Sequence, residues 1–266
     1  MEWKGTGEGV SDEAPRVLDL FSGIGGFSLG LERAGMRTVA FCEIDPYCRA
    51  VLAKHWPNVP CYDDVRTLTA ERLAADGIVP DIICGGFPCQ DISVAGKGAG
   101  LAGERSGLWS EYARLIGELR PRYVLVENVS ALRSRGLSRV LGDLAALGYD
   151  AEWHCIPASA VGAPHRRDRI WIIANPAGDR CEGQLREAIA QALNDTSSQA
   201  LGPWNGAGNP FDYWPQLMGQ SELRRVDDGV SSTMDIRPRL HAYGNSVVPQ
   251  IPEAIGRAIM TADRAR

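Results

Sequence analysis

The segment from residue 16 to residue 46 constrains the fold more than any other. Arg16-Val17-Leu18-Asp19-Leu20-Phe21 reads as a short apolar strand, and Ser22-Gly23-Ile24-Gly25-Gly26 as a tight turn. Phe27 to Ala34 follows with helical spacing and stops at Gly35. A second apolar run, Thr38 to Cys42, ends on Glu43-Ile44-Asp45, and Pro46 suits the first turn of another helix. The alternation continues downstream. Asp81 to Cys84 reads as a strand entering Gly85-Gly86-Phe87-Pro88-Cys89-Gln90, Trp109 to Leu119 as a helix, and Tyr123 to Val126 as a strand ending at Glu127. Such alternation predicts an α/β fold with a mainly parallel sheet and helices on both faces. Ligands of open α/β sheets bind beyond the carboxyl ends of the strands. Glu43, Cys89 and Glu127 all stand at those ends, which makes them a candidate site.

Composition narrows the setting. Of the 266 residues, 44% are hydrophobic and 23% charged, enough apolar side chains for a sizeable core. No apolar run reaches about 18 residues, so no membrane span is expected. Residues 1–15 lack the apolar centre of a signal peptide and read as a flexible tail, which fits a cytoplasmic protein. Seven cysteines form no Cys-x-x-Cys pair and only four histidines accompany them, so the expected metal site is none. The net charge of −5 is silent on nucleic acid, because phosphate contacts depend on local clusters. Two clusters stand out: His165-Arg166-Arg167-Asp168-Arg169, and Arg133 with Arg135 and Arg139. The second reads equally well as solvated surface.

The glycine loop admits close approach of backbone to a ligand and opens a helix. Glu43, twenty residues after Gly23 at the end of the next strand, stands where an acidic residue binds ribose hydroxyls in dinucleotide-type folds. The pair points to an adenosine-containing cofactor and leaves open a nicotinamide or a sulfonium one. Pro88 stiffens the chain before the Cys89 thiol. A buried structural cysteine is the bland reading of Cys89, and an arginine's partner that of Glu127. A thiolate beside a carboxyl group also suits addition to an electron-poor ring, in which thiolate attack at C6 of cytosine makes C5 nucleophilic.

Taken in order, these motifs resemble the DNA cytosine C5-methyltransferase family of bacteria and phages. The set is Asp19-Leu20-Phe21-Ser22-Gly23-Ile24-Gly25-Gly26-Phe27, Glu43-Ile44, Asp64-Val65, Pro88-Cys89-Gln90, Glu127-Asn128-Val129, Arg167-Asp168-Arg169 and Gly244-Asn245-Ser246-Val247. The resemblance covers nearly all of residues 16–174 and 240–260. It implies a Rossmann-like class I methyltransferase domain, with S-adenosylmethionine as donor and S-adenosylhomocysteine as by-product. It implies Cys89 as nucleophile, Glu127 facing N3 of the base, Arg169 at the cytosine carbonyl, and Arg167 supporting phosphate and loop. For the cofactor it implies Phe21, Gly23, Gly25, Glu43, Ile44, Asp64, Val65, Pro88, Leu108, Asn245 and Val247. For DNA it implies Gln90 and Ser93 beside the two arginines. His165 departs from the family by standing where a glutamine is common.

Residues 91–107 hold five glycines and read as a loop, which the family uses to close over a flipped-out cytosine. Residues 175–239 are rich in Gly, Pro, Asn and Ser, with one convincing helix around Leu185 to Leu193. They are expected to form a small loop-rich target-recognition domain, with 16–174 and 240–266 as the catalytic domain. Arg180, Arg186, Arg224, Arg225 and Arg237 are its candidate DNA contacts, and Trp204, Tyr213 and Trp214 its candidate core. So short a segment suggests a target of about four base pairs or fewer. The expected partners are double-stranded DNA and a cognate restriction endonuclease, with the protein itself a monomer. An RNA cytosine methyltransferase, a non-catalytic DNA-binding relative and a nicotinamide dehydrogenase are the other classes considered. The last has no use for Pro88-Cys89 with Glu127.

Overall fold

The computed structural model describes residues 13–88, 107–163, 165–178, 184–200, 242 and 245–264, with side chains to residue 195 in the helix that ends at 200. In chain order the elements are β1 (Arg16–Leu20), α1 (Gly26–Arg33), β2 (Arg37–Cys42), α2 (Pro46–His55), β3 (Cys61–Tyr62), α3 (Ala70–Ala75), β4 (Ile82–Gly85) and α4 (Gly107–Leu119). There follow β5 (Tyr123–Val129), α5 (Leu132–Arg135), α6 (Leu137–Ala146), β6 (Tyr149–Pro157), a 3-10 turn (Ala158–Val161), β7 (Asp168–Pro176), α7 (Gln184–Ala200) and α8 (Gln250–Arg264). The strands form one sheet in the order β3-β2-β1-β4-β5-β7-β6. Neighbours pair in parallel from β3 to β5, and β7 runs antiparallel to both β5 and β6. The expected mainly parallel α/β sheet is present.

Because successive strand residues point to opposite faces, each strand feeds two cores. Leu18, Leu20, Ile83, Val124, Val126, Ile170 and Ile172 face one way, toward Trp109, Tyr112, Leu115, Ile116, Val140 and Leu144 of α4 and α6. Val17, Ile82, Leu125, Trp171 and Ile173 face the other, toward Phe27 and Leu31 of α1, Leu185 and Ile189 of α7, and Ile251, Ile255 and Ile259 of α8. In α8 the buried Ile251, Ala254, Ile255, Ala258, Ile259 and Ala262 recur at helical spacing and make one apolar stripe. Tyr123 Oη donates to Asp263 at 2.8 Å and Arg122 pairs with Asp263 at 3.0 Å, so the last helix is tied to the middle of the sheet.

Three expectations are corrected. The fifth strand runs past Glu127 to Val129, because Arg169 on β7 gives Val129 a pairing partner. The sequence reading that Pro252 opens the final helix is one of these: the helix starts at Gln250, and Pro252 sits in its first turn, where a missing N–H costs nothing. The helix around Leu185 belongs with the large domain: Leu185 and Ile189 are 2% exposed and packed with Trp171, Ile173, Ile255 and Ile259. Strand β7 likewise runs on through Asn175 to Pro176. The small-domain boundary at 175 is therefore too early. Arg186 is exposed on this packed helix, while Arg180, Arg224, Arg225, Arg237, Trp204, Tyr213 and Trp214 lie outside the described residues. Among the described residues no helix is long and apolar enough to cross a membrane, and no group of three or more metal-ligating side chains occurs.

Candidate active site

The first half of the site grows from the ends of β1 and β2. Phe21 leaves β1 with φ 52°, a left-handed conformation uncommon for an aromatic residue. The turn is held by Ser22, whose hydroxyl donates to the Asp19 carbonyl at 2.6 Å and whose N–H donates to the Cys42 carbonyl at 3.3 Å. Gly25 completes it with φ 86°, and a β-carbon there would come within 2.7 Å of the Trp56 ring. Only glycine fits. Glu43 receives the Gly23 N–H on Oε2 at 2.7 Å and the Asp45 N–H on Oε1 at 2.8 Å, so one carboxylate joins the glycine loop to the start of α2. It is 9% exposed. A β-carbon added to Gly23 would meet nothing within 4 Å, so space lies open in front of the loop. Ile44, 65% exposed, stands beside it. Asp64 is held by Arg66 at 2.7 Å, and that hydrogen bond lowers its pKa. The Val65 side chain is buried among core residues, and Leu108 packs against the same cluster.

Asp19 stands in the first motif, and the sequence alone gives it no role. Its side chain is fully buried, and Ser28 in the first turn of α1 donates to Asp19 Oδ2 through both its hydroxyl, at 2.7 Å, and its N–H, at 3.3 Å. It thus supplies from β1 the cap that Gly25 cannot give its own helix. The signal was available: a carboxyl inside an apolar strand must find partners. Burial pushes the Asp19 pKa up to about 8, against the pull of Ser28. A carboxyl with a raised folded pKa stabilises the fold fully below its unfolded value of 3.8, and that contribution is lost as pH rises through about 8. Thermal melts across this range should therefore show the parent losing stability with rising pH more steeply than Asp19→Asn. Equal slopes would contradict a neutral Asp19.

The second half forms where β4 and β5 end and β7 begins. A β-carbon on Gly86 would lie 2.7 Å from Glu127 Oε2, so the exit of β4 runs close against this carboxyl and a side chain there would push it aside. Asn128, 2% exposed, donates from Nδ2 to the Phe87 carbonyl at 3.1 Å, while its Oδ1 accepts the Val129 N–H at 2.8 Å. The segment that reaches Pro88 is thereby pinned to β5 beside Glu127. Asn128 is a second residue whose role the sequence did not reveal. Cys89, Gln90 and Ser93 lie outside the described residues.

Glu127 Oε1 pairs with Arg169 Nε at 2.9 Å. The arginine-partner reading of Glu127 therefore holds as geometry. Burial nonetheless raises the Glu127 pKa, working against Arg169 and Arg167. Arg167, with φ 36°, donates from its guanidinium to the Ser246 carbonyl at 2.8 Å. Burial and the neighbouring Arg169 lower its pKa, opposed by Glu127. Arg166 points away: its side chain is 83% exposed, with Asp168 at 3.6 Å. The basic run thus splits into two inward arginines and one outward.

The C-terminal segment joins the two halves. Ser246 holds Arg167, and the next residue, Val247, packs so tightly on α1 that a β-carbon on Gly26 would come within 2.5 Å of its carbonyl oxygen. Asn245 is exposed at the start of this segment. Residues far apart in sequence therefore meet along one edge of the sheet. A glycine loop with an acidic partner stands on one side, a largely buried carboxyl with two arginines on the other.

Comparison with known proteins agrees with this geometry. The family model described as C-5 cytosine-specific DNA methylase matches residues 15–202. Type II methyltransferase M2.BsuMI of Bacillus subtilis (strain 168) is 38% identical over 168 residues, covering 60% of this chain and 42% of that protein. Type II methyltransferase M.NgoFVII of Neisseria gonorrhoeae is 28% identical over 234 residues, covering 86% of this chain and 61% of that protein. A solved structure described as a DNA modification methyltransferase encoded within an E. coli prophage aligns with TM-score 0.53 and 31% identity, covering 61% of this chain and 47% of that one. The fold is that of the class I methyltransferases. The chain spans about half the length of these relatives.

Proposed function

Since the chain belongs to the C-5 cytosine-specific DNA methylase family, we propose that it methylates C5 of a flipped-out cytosine in double-stranded DNA, using S-adenosylmethionine. The observation that carries this is the pairing of Glu127, a carboxyl whose pKa burial raises, with Arg169 at the point where the β4 segment delivers Pro88.

The residues at the β1 and β2 ends suit the donor. Glu43 offers carboxylate oxygens to a ribose diol, Phe21 and Ile44 offer apolar surface to adenine, and the open space at Gly23 admits a ligand. Gly25, Asp64, Val65, Pro88, Leu108, Asn245 and Val247 complete the proposed lining. When bound, S-adenosylmethionine supplies an electrophilic methyl group on a sulfonium and departs as S-adenosylhomocysteine.

The chemistry of the base falls to the chain's own side chains. Cys89, as thiolate, adds to C6 and forms the covalent intermediate. Glu127 faces N3 as charge develops there, and burial shifts its pKa upward, in the direction that favours its acting as a proton donor. Arg169 keeps Glu127 in place from Nε and addresses the cytosine carbonyl. Arg167 braces the C-terminal segment through Ser246. Loss of the C5 proton then expels the Cys89 thiolate. Gln90 and Ser93 contact the DNA near the extruded base.

The recognition segment is proposed to lie within 201–239, after α7, with a short target. The protein acts as a monomer in the cytoplasm, where its DNA is, and a cognate restriction endonuclease would be its functional partner. Bisulfite sequencing of duplex DNA treated with the purified chain and S-adenosylmethionine tests the activity. The expected product is 5-methylcytosine at a fixed target of about four base pairs or fewer, with no methylation of tRNA. Methylation of tRNA alone would contradict the DNA reading, and a long strict consensus would contradict the short target.

A further inference from the structure

Helix α4 borders both halves of the site. Its Trp109 ring packs on Phe87, next to Pro88, with centroids 5.4 Å apart, and its Tyr112 ring meets Phe21 at 6.2 Å. Two residues further on, Arg114 reaches a third piece of chain, the segment 63–69 that leaves the carboxyl end of β3. That segment carries Asp64 and Val65. At its start the Tyr62 carbonyl accepts the Glu43 N–H at 2.9 Å, so it hangs beside the acidic partner of the glycine loop.

The Arg114 guanidinium makes four hydrogen bonds with its five N–H groups. Nη2 donates to the Val65 carbonyl at 3.0 Å and to the Leu68 carbonyl at 2.9 Å. Nε donates to Glu111 at 2.8 Å and Nη1 to Glu118 at 2.7 Å, both on α4. The second carboxylate oxygen of Glu118 accepts the Ala70 N–H at 3.0 Å, just beyond the segment. One planar fork thus holds helix and segment at a fixed separation, which a flexible ammonium could not do. An exposed ion pair alone would stabilise little. Here the charge rests on two main-chain carbonyls, which it can lose only if the segment moves. Val65, buried, and Leu108, in the first turn of α4, pack into the same cluster as Phe21. The fork therefore sets the spacing of three residues of the proposed donor lining.

We propose that Arg114 is a positioning residue for S-adenosylmethionine: by tying the Val65 and Leu68 carbonyls to α4, it holds the wall against which the adenosine end of the donor binds. It touches neither donor nor base. The proposal rests on the donor reading given above.

The test is calorimetric titration of the full chain with S-adenosylmethionine, comparing the parent with Arg114→Gln. The variant should bind about tenfold more weakly, the loss typical of one hydrogen bond to a charged group. Its methyl-transfer rate at saturating donor should stay within about threefold of the parent's, because the wall acts on binding and not on the reacting atoms. Arg114→Lys keeps the charge but not the fork, and should stay weakened; should Arg114→Gln fail to fold, this variant decides the matter. Arg16→Gln is the control. It breaks an ion pair of similar exposure, Arg16 with Asp81 at 3.0 Å, at the amino ends of β1 and β4, and should leave donor affinity unchanged even where it lowers the melting temperature. Parent affinity in the Arg114 variants, or equal weakening in Arg16→Gln, would overturn the proposal. A parent that methylates DNA while the Arg114 variants bind donor normally loses the strut and keeps the activity. A parent that binds no S-adenosylmethionine loses the donor reading, and the strut with it.

Discussion

Glu127→Gln should lower the rate of methyl transfer by roughly 10²–10⁴-fold, the usual range for losing a positioned general acid, while affinity for S-adenosylmethionine stays close to the parent's. The substitution keeps the shape of the side chain and its capacity to accept from Arg169 Nε. It removes the dissociable proton. Burial raises the Glu127 pKa, so the parent retains that proton to higher pH than an exposed carboxyl would. Activity that depends on it falls as pH rises through the raised pKa, and the glutamine variant should lose this limb of the pH profile. Single-turnover rates across a pH series check both points. A variant within a few-fold of the parent would remove Glu127 from the chemistry.

Cys89→Ser should have the larger effect, leaving transfer below roughly a thousandth of the parent's rate, because an alkoxide is far harder to form than a thiolate near neutral pH. DNA binding and cofactor binding should survive, since neither needs the nucleophile. Rapid-quench measurement of labelled methyl transfer gives the ratio directly. Transfer at the parent's rate would exclude a covalent route through this residue.

Both expectations depend on positions that the sequence revealed unequally. The glycine loop and Glu43 were legible because strand, turn, helix and strand are contiguous, so a spacing of twenty residues implies proximity. The pairing of Glu127 with Arg169 was not, because it depends on β7 returning antiparallel beside β5. Motif order alone does not say which arginine meets the carboxyl. Asn128 was hidden for the same reason: its hydrogen bond crosses from β5 to Phe87 after β4. Asp19 was visible as a carboxyl in an apolar run, yet its partner Ser28 is nine residues away across a turn. Composition alone separates α7 from the sheet, because the Asn, Pro and Gly residues from 175 to 183 look like the start of a separate unit. The apolar spacing of Leu185 and Ile189 was the better guide, and both are buried against β7 and α8.

The C-terminal segment completes this picture. Ser246 and Val247 lie more than 70 residues from Arg167 and more than 200 from Gly26, yet they touch both. The returning segment needs a seat against the first half of the sheet. Here α1 supplies that seat by having glycine at position 26.

Covalent trapping on duplex DNA that carries 5-fluorocytosine tests the central claim most directly. Fluorine at C5 cannot leave as a proton does, so release of the thiol is blocked after methyl transfer. With S-adenosylmethionine present, the account predicts a protein–DNA complex that survives denaturation and maps to Cys89, and none with Cys89→Ser. Methylation of ordinary DNA without any such complex, or a complex that persists in Cys89→Ser, would contradict it.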